Sequence, residues 1–127
     1  MSYTWDHIHL RSPDPRATAA FFVEMFGAAQ TGEVMNGDKL RVVLKLDGMP
    51  LFIEEVPADT AAPPTPPFLG YEHIGLRVPD IEAEAARLKA KGVTFVMEPK
   101  EMSPVLKIAF IEGPEKIRIE LLERKTG

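Results

Sequence analysis

Histidine and glutamate are the residues that give this chain of 127 amino acids its chemical possibilities. It has only three histidines, and two of them stand second in a phrase that occurs twice: DHIHLRSPD from Asp6 and EHIGLRVPD from Glu72. Each phrase is answered later by a glutamate set among apolar residues, Glu54 in PLFIEEV and Glu120 in KIRIELLE. The separations His7 to Glu54 and His73 to Glu120 are both 47 residues. A glutamate inside an Ile- and Leu-rich run is costly unless it is paired or coordinates a cation. Cysteine is absent, so disulfide and thiolate chemistry are excluded, and a metal site is limited to His, carboxylate and water donors.

Facing supports the pairing. In WDHIHLR, Ile8 and Leu10 share one side of a strand, and His7, His9 and Arg11 share the other. In KIRIELLE, Ile117, Ile119 and Leu121 form the apolar side and turn Glu120 away from it; Leu51 and Ile53 do the same for Glu54. A lone strand histidine is more often a satisfied polar residue than a ligand. Two in register with glutamates predict an N2O2 donor set of His7, Glu54, His73 and Glu120. Such a set suits one divalent ion, whether Ni²⁺, Co²⁺, Zn²⁺, Fe²⁺ or Mn²⁺. His9 and Arg11, on the same side of the first strand, are expected to meet substrate.

The elements that must position these residues are themselves duplicated. At the phrase offset of 66 residues, Leu40 maps onto Leu106, Ile53 onto Ile119 and Glu54 onto Glu120. In each half a strand is followed by SPDP or VPD, where Asp14 and Asp80 can cap a helix. The helices RATAAFFVEMF and IEAEAARLKAK end at Gly27 and Gly92. Three strand-like runs follow each: AAQTGEVM, KLRVVLKL and PLFIEEV, then VTFVME, VLKIAFI and KIRIELLE. The Met-containing stretch VMEPKEMSP, with its prolines, reads as a loop or flap.

The prediction is an α+β protein of two tandem βαβββ modules forming a cupped mixed sheet around a metal site. Module one spans about 4–57 and module two about 71–124. The linker 57–70 carries five prolines in PADTAAPPTPPFLG; at ~3.1 Å per residue it is long enough for the modules to pair within one chain or with those of a second copy.

Composition removes several classes of function. Lysine and arginine number 15 against 19 acidic residues, a net charge of −4 with both signs dispersed, so no basic block points to nucleic acid or an anionic membrane. No apolar run approaches the ~20 residues of a membrane span. The N-terminus lacks the pattern of a secretory signal, and a cytoplasmic location is expected.

The paired HI.LR.PD phrases, the two βαβββ modules and the closing IRIELLE resemble the vicinal oxygen chelate superfamily, most closely glyoxalase I. The resemblance implies that His7, Glu54, His73 and Glu120 are the metal ligands, usually within a homodimer, and that a small molecule is the substrate. It implies a lyase or isomerase in which the ion acts as a Lewis acid. Glu120 first, or Glu54, would move a proton beside a carbonyl through an enediolate. Arg11 matches an arginine that contacts glutathione in the family, which makes glutathione a candidate cosubstrate. The family also includes extradiol dioxygenases and fosfomycin-modifying transferases. An epimerase acting on an acyl-CoA uses the same kind of site, and metal-free members sequester drugs such as bleomycin.

Overall fold

The computed structural model describes residues 2–125, which fall into two compact units divided between Ala61 and Ala62, inside the proline-rich stretch. In unit 1, strand β1 (Ile8–Ser12) leads into helix α1 (Pro15–Phe26), followed by β2 (Ala29–Asn36), β3 (Lys39–Leu46) and β4 (Met49–Glu55). In unit 2, β5 (Ile74–Arg77) leads into α2 (Ile81–Ala90), followed by β6 (Thr94–Ser103), β7 (Leu106–Glu112), a 3-10 turn (Pro114–Lys116) and β8 (Arg118–Arg124). The sheets run β1-β4-β3-β2 and β5-β8-β7-β6. Only the pairings β1 with β4 and β5 with β8 are parallel. Each unit is thus a βαβββ module with a four-stranded mixed sheet, as the duplication predicts.

Local chemistry accounts for the helix ends. The Asp14 carboxylate accepts from the Ala17 N–H at 3.1 Å, and Pro15 occupies the first turn, where its missing N–H costs nothing. Gly27 closes α1 in the left-handed region, φ 72°, which a residue with a Cβ adopts only under strain. Asp80 repeats the cap, accepting from Ala83 at 3.1 Å.

One apolar side of each helix covers one side of its sheet. Phe22 and Ala19 of α1 are buried with Val42, Leu44, Leu51 and Ile53; Ile81, Ala85 and Leu88 of α2 with Ala109, Ile111, Ile119 and Leu121. Alternation along β4 and β8 then turns Phe52, Glu54, Glu120 and Leu122 to the opposite side, away from the helix. Unit 1 also buries a polar pair, in which the Thr18 hydroxyl donates to Ser12 Oγ at 2.8 Å. Val78 and Glu84 stand at those positions of the repeat.

The stretch expected to be a loop or flap is a strand. β6 runs through Met97, Pro99 and Met102, and its pairing with β7 shifts register between Met97 and Lys100. Such an irregularity on an edge strand accommodates a proline that has no N–H for the ladder.

Candidate functional site

In unit 2 the predicted pair meets. His73 sits immediately before β5 and Glu120 lies in β8, opposite Gly75. His73 Nε2 is 3.0 Å from Glu120 Oε1, and the Glu120 side chain is 15% exposed. The other ring nitrogen, Nδ1, contacts the Glu72 carboxylate. Both nitrogens therefore face carboxylates. A neutral imidazole carries one proton, so one of the two contacts needs a further cation, either a second proton or a metal ion. A Cβ at Gly75 would stand at ordinary contact distance from Glu120 Oε1, 3.8 Å, and Leu122 Cδ1, 3.4 Å, so this position of β5 directly overlooks the Glu120 carboxylate.

Around this pair the ring of Phe110 lies edge-on to His73, with centroids 5.0 Å apart, and the Arg118 guanidinium lies 4.6 Å from the Phe110 centroid. Arg118 Nε is 3.1 Å from Glu72 Oε1, an ion pair whose alignment does not make a hydrogen bond.

Unit 1 is arranged differently. His7 Nδ1 contacts Asp6 at 2.7 Å, and its ring stacks on Phe52 with centroids 4.1 Å apart. Glu54 belongs to another group. Its Oε1 accepts from Arg41 Nη2 at 2.7 Å, Arg41 Nε at 3.1 Å and Asn36 Nδ2 at 3.1 Å. Its Oε2 lies 3.8 Å from His9 Nε2. The hydrogen bonds from Asn36 and Arg41 hold the Glu54 carboxyl below the usual carboxylate range. Burial lowers the His9 pKa despite the attraction of Glu54. The histidine that the structure brings to Glu54 is thus His9, not His7.

Strand register explains the difference. Glu120 is paired with Gly75 on one side and Phe110 on the other. The residue in that place in unit 1, paired with His9 and Val43, is Phe52. Glu54 is paired with Arg11 and Arg41, and its counterpart, paired with Arg77 and Ile108, is Leu122. The first strands superpose at an offset of 66 residues, whereas the last strands superpose at 68 (Phe52 on Glu120). A two-residue turn, Asp47–Gly48, joins β3 to β4, but residues 113–117 join β7 to β8. Equal spacing in the sequence thus goes with unequal pairing, the last strands being slipped by one full pleat relative to the first.

Arg11 is exposed beside Glu54, and Arg77 donates to the Arg124 carbonyl at 3.1 Å. Sequence reasoning did not single out Glu72, Arg118, Arg41 and Asn36. An acidic residue before each of the two repeated histidines, His7 and His73, was the available signal for the first. The arginines and Asn36 become visible only through cross-strand pairing. Among the described residues no three His, Asp or Glu side chains are gathered closely enough to hold an ion; the glutamates of the last strands each meet one histidine, Glu120 at 3.0 Å in unit 2 and Glu54 at 3.8 Å in unit 1. The unit 2 donors fit a divalent metal, being an imidazole nitrogen and a carboxylate oxygen already side by side.

A family model described as the Glyoxalase/Bleomycin resistance protein/Dioxygenase superfamily matches residues 4–121. Among solved structures, a glyoxalase family protein from Bacillus cereus is similar at 19% identity, TM-score 0.81, covering 98% of this chain and 95% of that one. A glyoxalase family protein from Enterococcus faecalis is similar at 25% identity, TM-score 0.80, covering 94% and 97%. The fosfomycin resistance protein FosX from Listeria monocytogenes is similar at 18% identity, TM-score 0.77, covering 97% and 94%.

Proposed function

This chain belongs to the glyoxalase/bleomycin resistance protein/dioxygenase superfamily, and from that premise we propose that it is a divalent-metal lyase or isomerase of the glyoxalase I type. The substrate is a small molecule with a hydroxyl or thiohemiacetal beside a carbonyl, glutathione-linked or free. The observation that carries the reading is the imidazole of His73 held between two carboxylates, with Nε2 3.0 Å from Glu120. A neutral imidazole has one proton for these two carboxylates, so a cation at one of its nitrogens completes the arrangement, and the superfamily supplies the precedent: a FosX structure contains Mn(II) and dihydroxypropylphosphonic acid.

His73 and Glu120 are the principal donors in this proposal, and His7 is the third. Glu54 is an exchangeable fourth, because it must leave Arg41 and Asn36 to ligate. When bound by these residues, a divalent ion would supply Lewis-acid stabilisation of the negative charge that develops on substrate oxygen. Glu120 takes the proton from the carbon beside the carbonyl and returns it to the neighbouring carbon. Arg41 and Asn36 cost Glu54 basicity, which gives the proton-transfer role to Glu120. His9 and Arg11 contact the substrate. The functional assembly is a homodimer, and its location is the cytoplasm.

Metal analysis of protein incubated with Co²⁺, Ni²⁺, Zn²⁺ and Mn²⁺, followed by a panel of hydroxy-carbonyl, glutathione and CoA substrates, tests the reading. One tightly held ion per chain and proton exchange at the substrate carbon are expected. Failure to retain any of these ions refutes the enzyme and favours a sequestering protein. Glu120→Gln protein that binds metal and turns over normally removes Glu120 from its role.

A further inference from the structure

The Glu72 carboxylate lies on the far side of His73 from Glu120 and contacts ring Nδ1. A carboxylate at that nitrogen draws the imidazole proton to Nδ1 against the opposing pull of Glu120 at Nε2, and a cation between Nε2 and Glu120 would leave Nδ1 as the protonated nitrogen. We propose that Glu72 is a positioning residue that fixes the tautomer and ring orientation of His73, and that Arg118 braces Glu72 in this task. This inference rests on the reading of His73 and Glu120 as metal donors.

The brace is what distinguishes Glu72 from an ordinary surface acid. Arg118 Nε is buried without a hydrogen bond, a cost that its 3.1 Å ion pair with Glu72 helps to offset. The same guanidinium stacks 4.6 Å from the centroid of Phe110, whose ring meets His73 edge-on. Glu72, His73, Phe110 and Arg118 thus form a closed circuit of contacts around the imidazole. A pleat of β8 separates Arg118 from Glu120, so one strand supplies both the donor and the brace.

The duplication provides a comparison within the molecule. Asp6 contacts His7 Nδ1 at 2.7 Å, so an acid precedes and touches the histidine in both units. In unit 1 the Asp6 side chain is 88% exposed, and the residue at the register position of Arg118 is Pro50. The carboxylate–histidine contact is common to both modules, whereas the arginine brace belongs to unit 2, the unit in which histidine and glutamate meet.

Nitrogen-15 NMR of the metal-free protein at about pH 8.5, two units above the ordinary imidazole pKa, reads the His73 tautomer directly. The wild type is expected to hold more of its ring proton on Nδ1 than Glu72→Ala does, since the variant leaves Glu120 at Nε2 unopposed. Titration with Co²⁺ should show the affinity of Glu72→Ala lowered by about 10- to 100-fold, with altered visible absorption bands and an unchanged melting temperature without metal. Arg118→Met should lower the affinity less and serves as the second variant should Glu72→Ala fold poorly. A Glu72→Ala protein with the wild-type tautomer and affinity within about twofold of wild type overturns the proposal. Wild-type protein that binds no Co²⁺ but keeps the Nδ1 proton refutes the metal reading and leaves the positioning role standing.

Discussion

Removal of the two glutamates one at a time separates a symmetric metal site from the unequal one described above. Equal spacing in the sequence predicts that Glu54→Ala and Glu120→Ala lose metal affinity alike. The register of the strands predicts otherwise. Glu120 points its Oε1 at His73 Nε2 from 3.0 Å, whereas Glu54 accepts three hydrogen bonds from Arg41 and Asn36. Groups that merely orient a ligand are worth about 10- to 100-fold in affinity. A direct donor should be worth no less than the top of that range, so Glu120→Ala should weaken Co²⁺ binding by at least about 100-fold, or about 2.7 kcal/mol at 1.36 kcal/mol per tenfold change. Glu54→Ala should change affinity by less than about threefold, since a donor already bonded to a guanidinium gains little from exchanging partners. Competition against a coloured chelator measures both constants on metal-free protein, with thermal melts as the control for folding. Equal losses for the two variants would refute the register argument and restore the symmetric donor set.

The same reasoning predicts a gain. Phe52 occupies the register position of Glu120, so Phe52→Glu should tighten Co²⁺ binding, and looser binding in that competition assay counts against the equivalence. Burial lowers the His9 pKa from 6.5, so the unfolded chain binds the proton more readily and stability should fall as pH drops through about 6.5. His9→Gln should flatten that slope in urea melts at about pH 7.5 and about pH 5.5, and an unaltered slope removes His9 as its source. Phe22 is fully buried in α1; Phe22→Ala should cost about 3–5 kcal/mol in denaturant unfolding, and a loss under 1 kcal/mol would mean that the helix does not pack as described.

Elements and cross-strand geometry were not equally legible in the sequence, for a physical reason. Helix starts depend on a few adjacent residues, so Asp14 and Asp80 announced their caps, and the alternation of Ile117, Ile119 and Leu121 announced a strand with Glu120 on its far side. These are local facts, and a chain records local facts in order. Which residue of β4 lies beside His7 is instead set by the crossover through α1, β2 and β3, and by the length of every turn along the way. The spacing of 47 residues is the same in both halves, yet the last strands are displaced by two residues relative to the first. A displacement of two keeps every side chain on its own face of the sheet. Hydrophobic alternation is therefore blind to it, and the burial of Ile53 and Ile119 satisfies either register. Cross-strand partners do register the slip: Glu54 is opposite Arg41, where Leu122 is opposite Ile108, and an unpaired glutamate opposite isoleucine would have been the costly arrangement. A polar pair in one module set against an apolar pair in the other marks the point at which the two copies ceased to share one geometry.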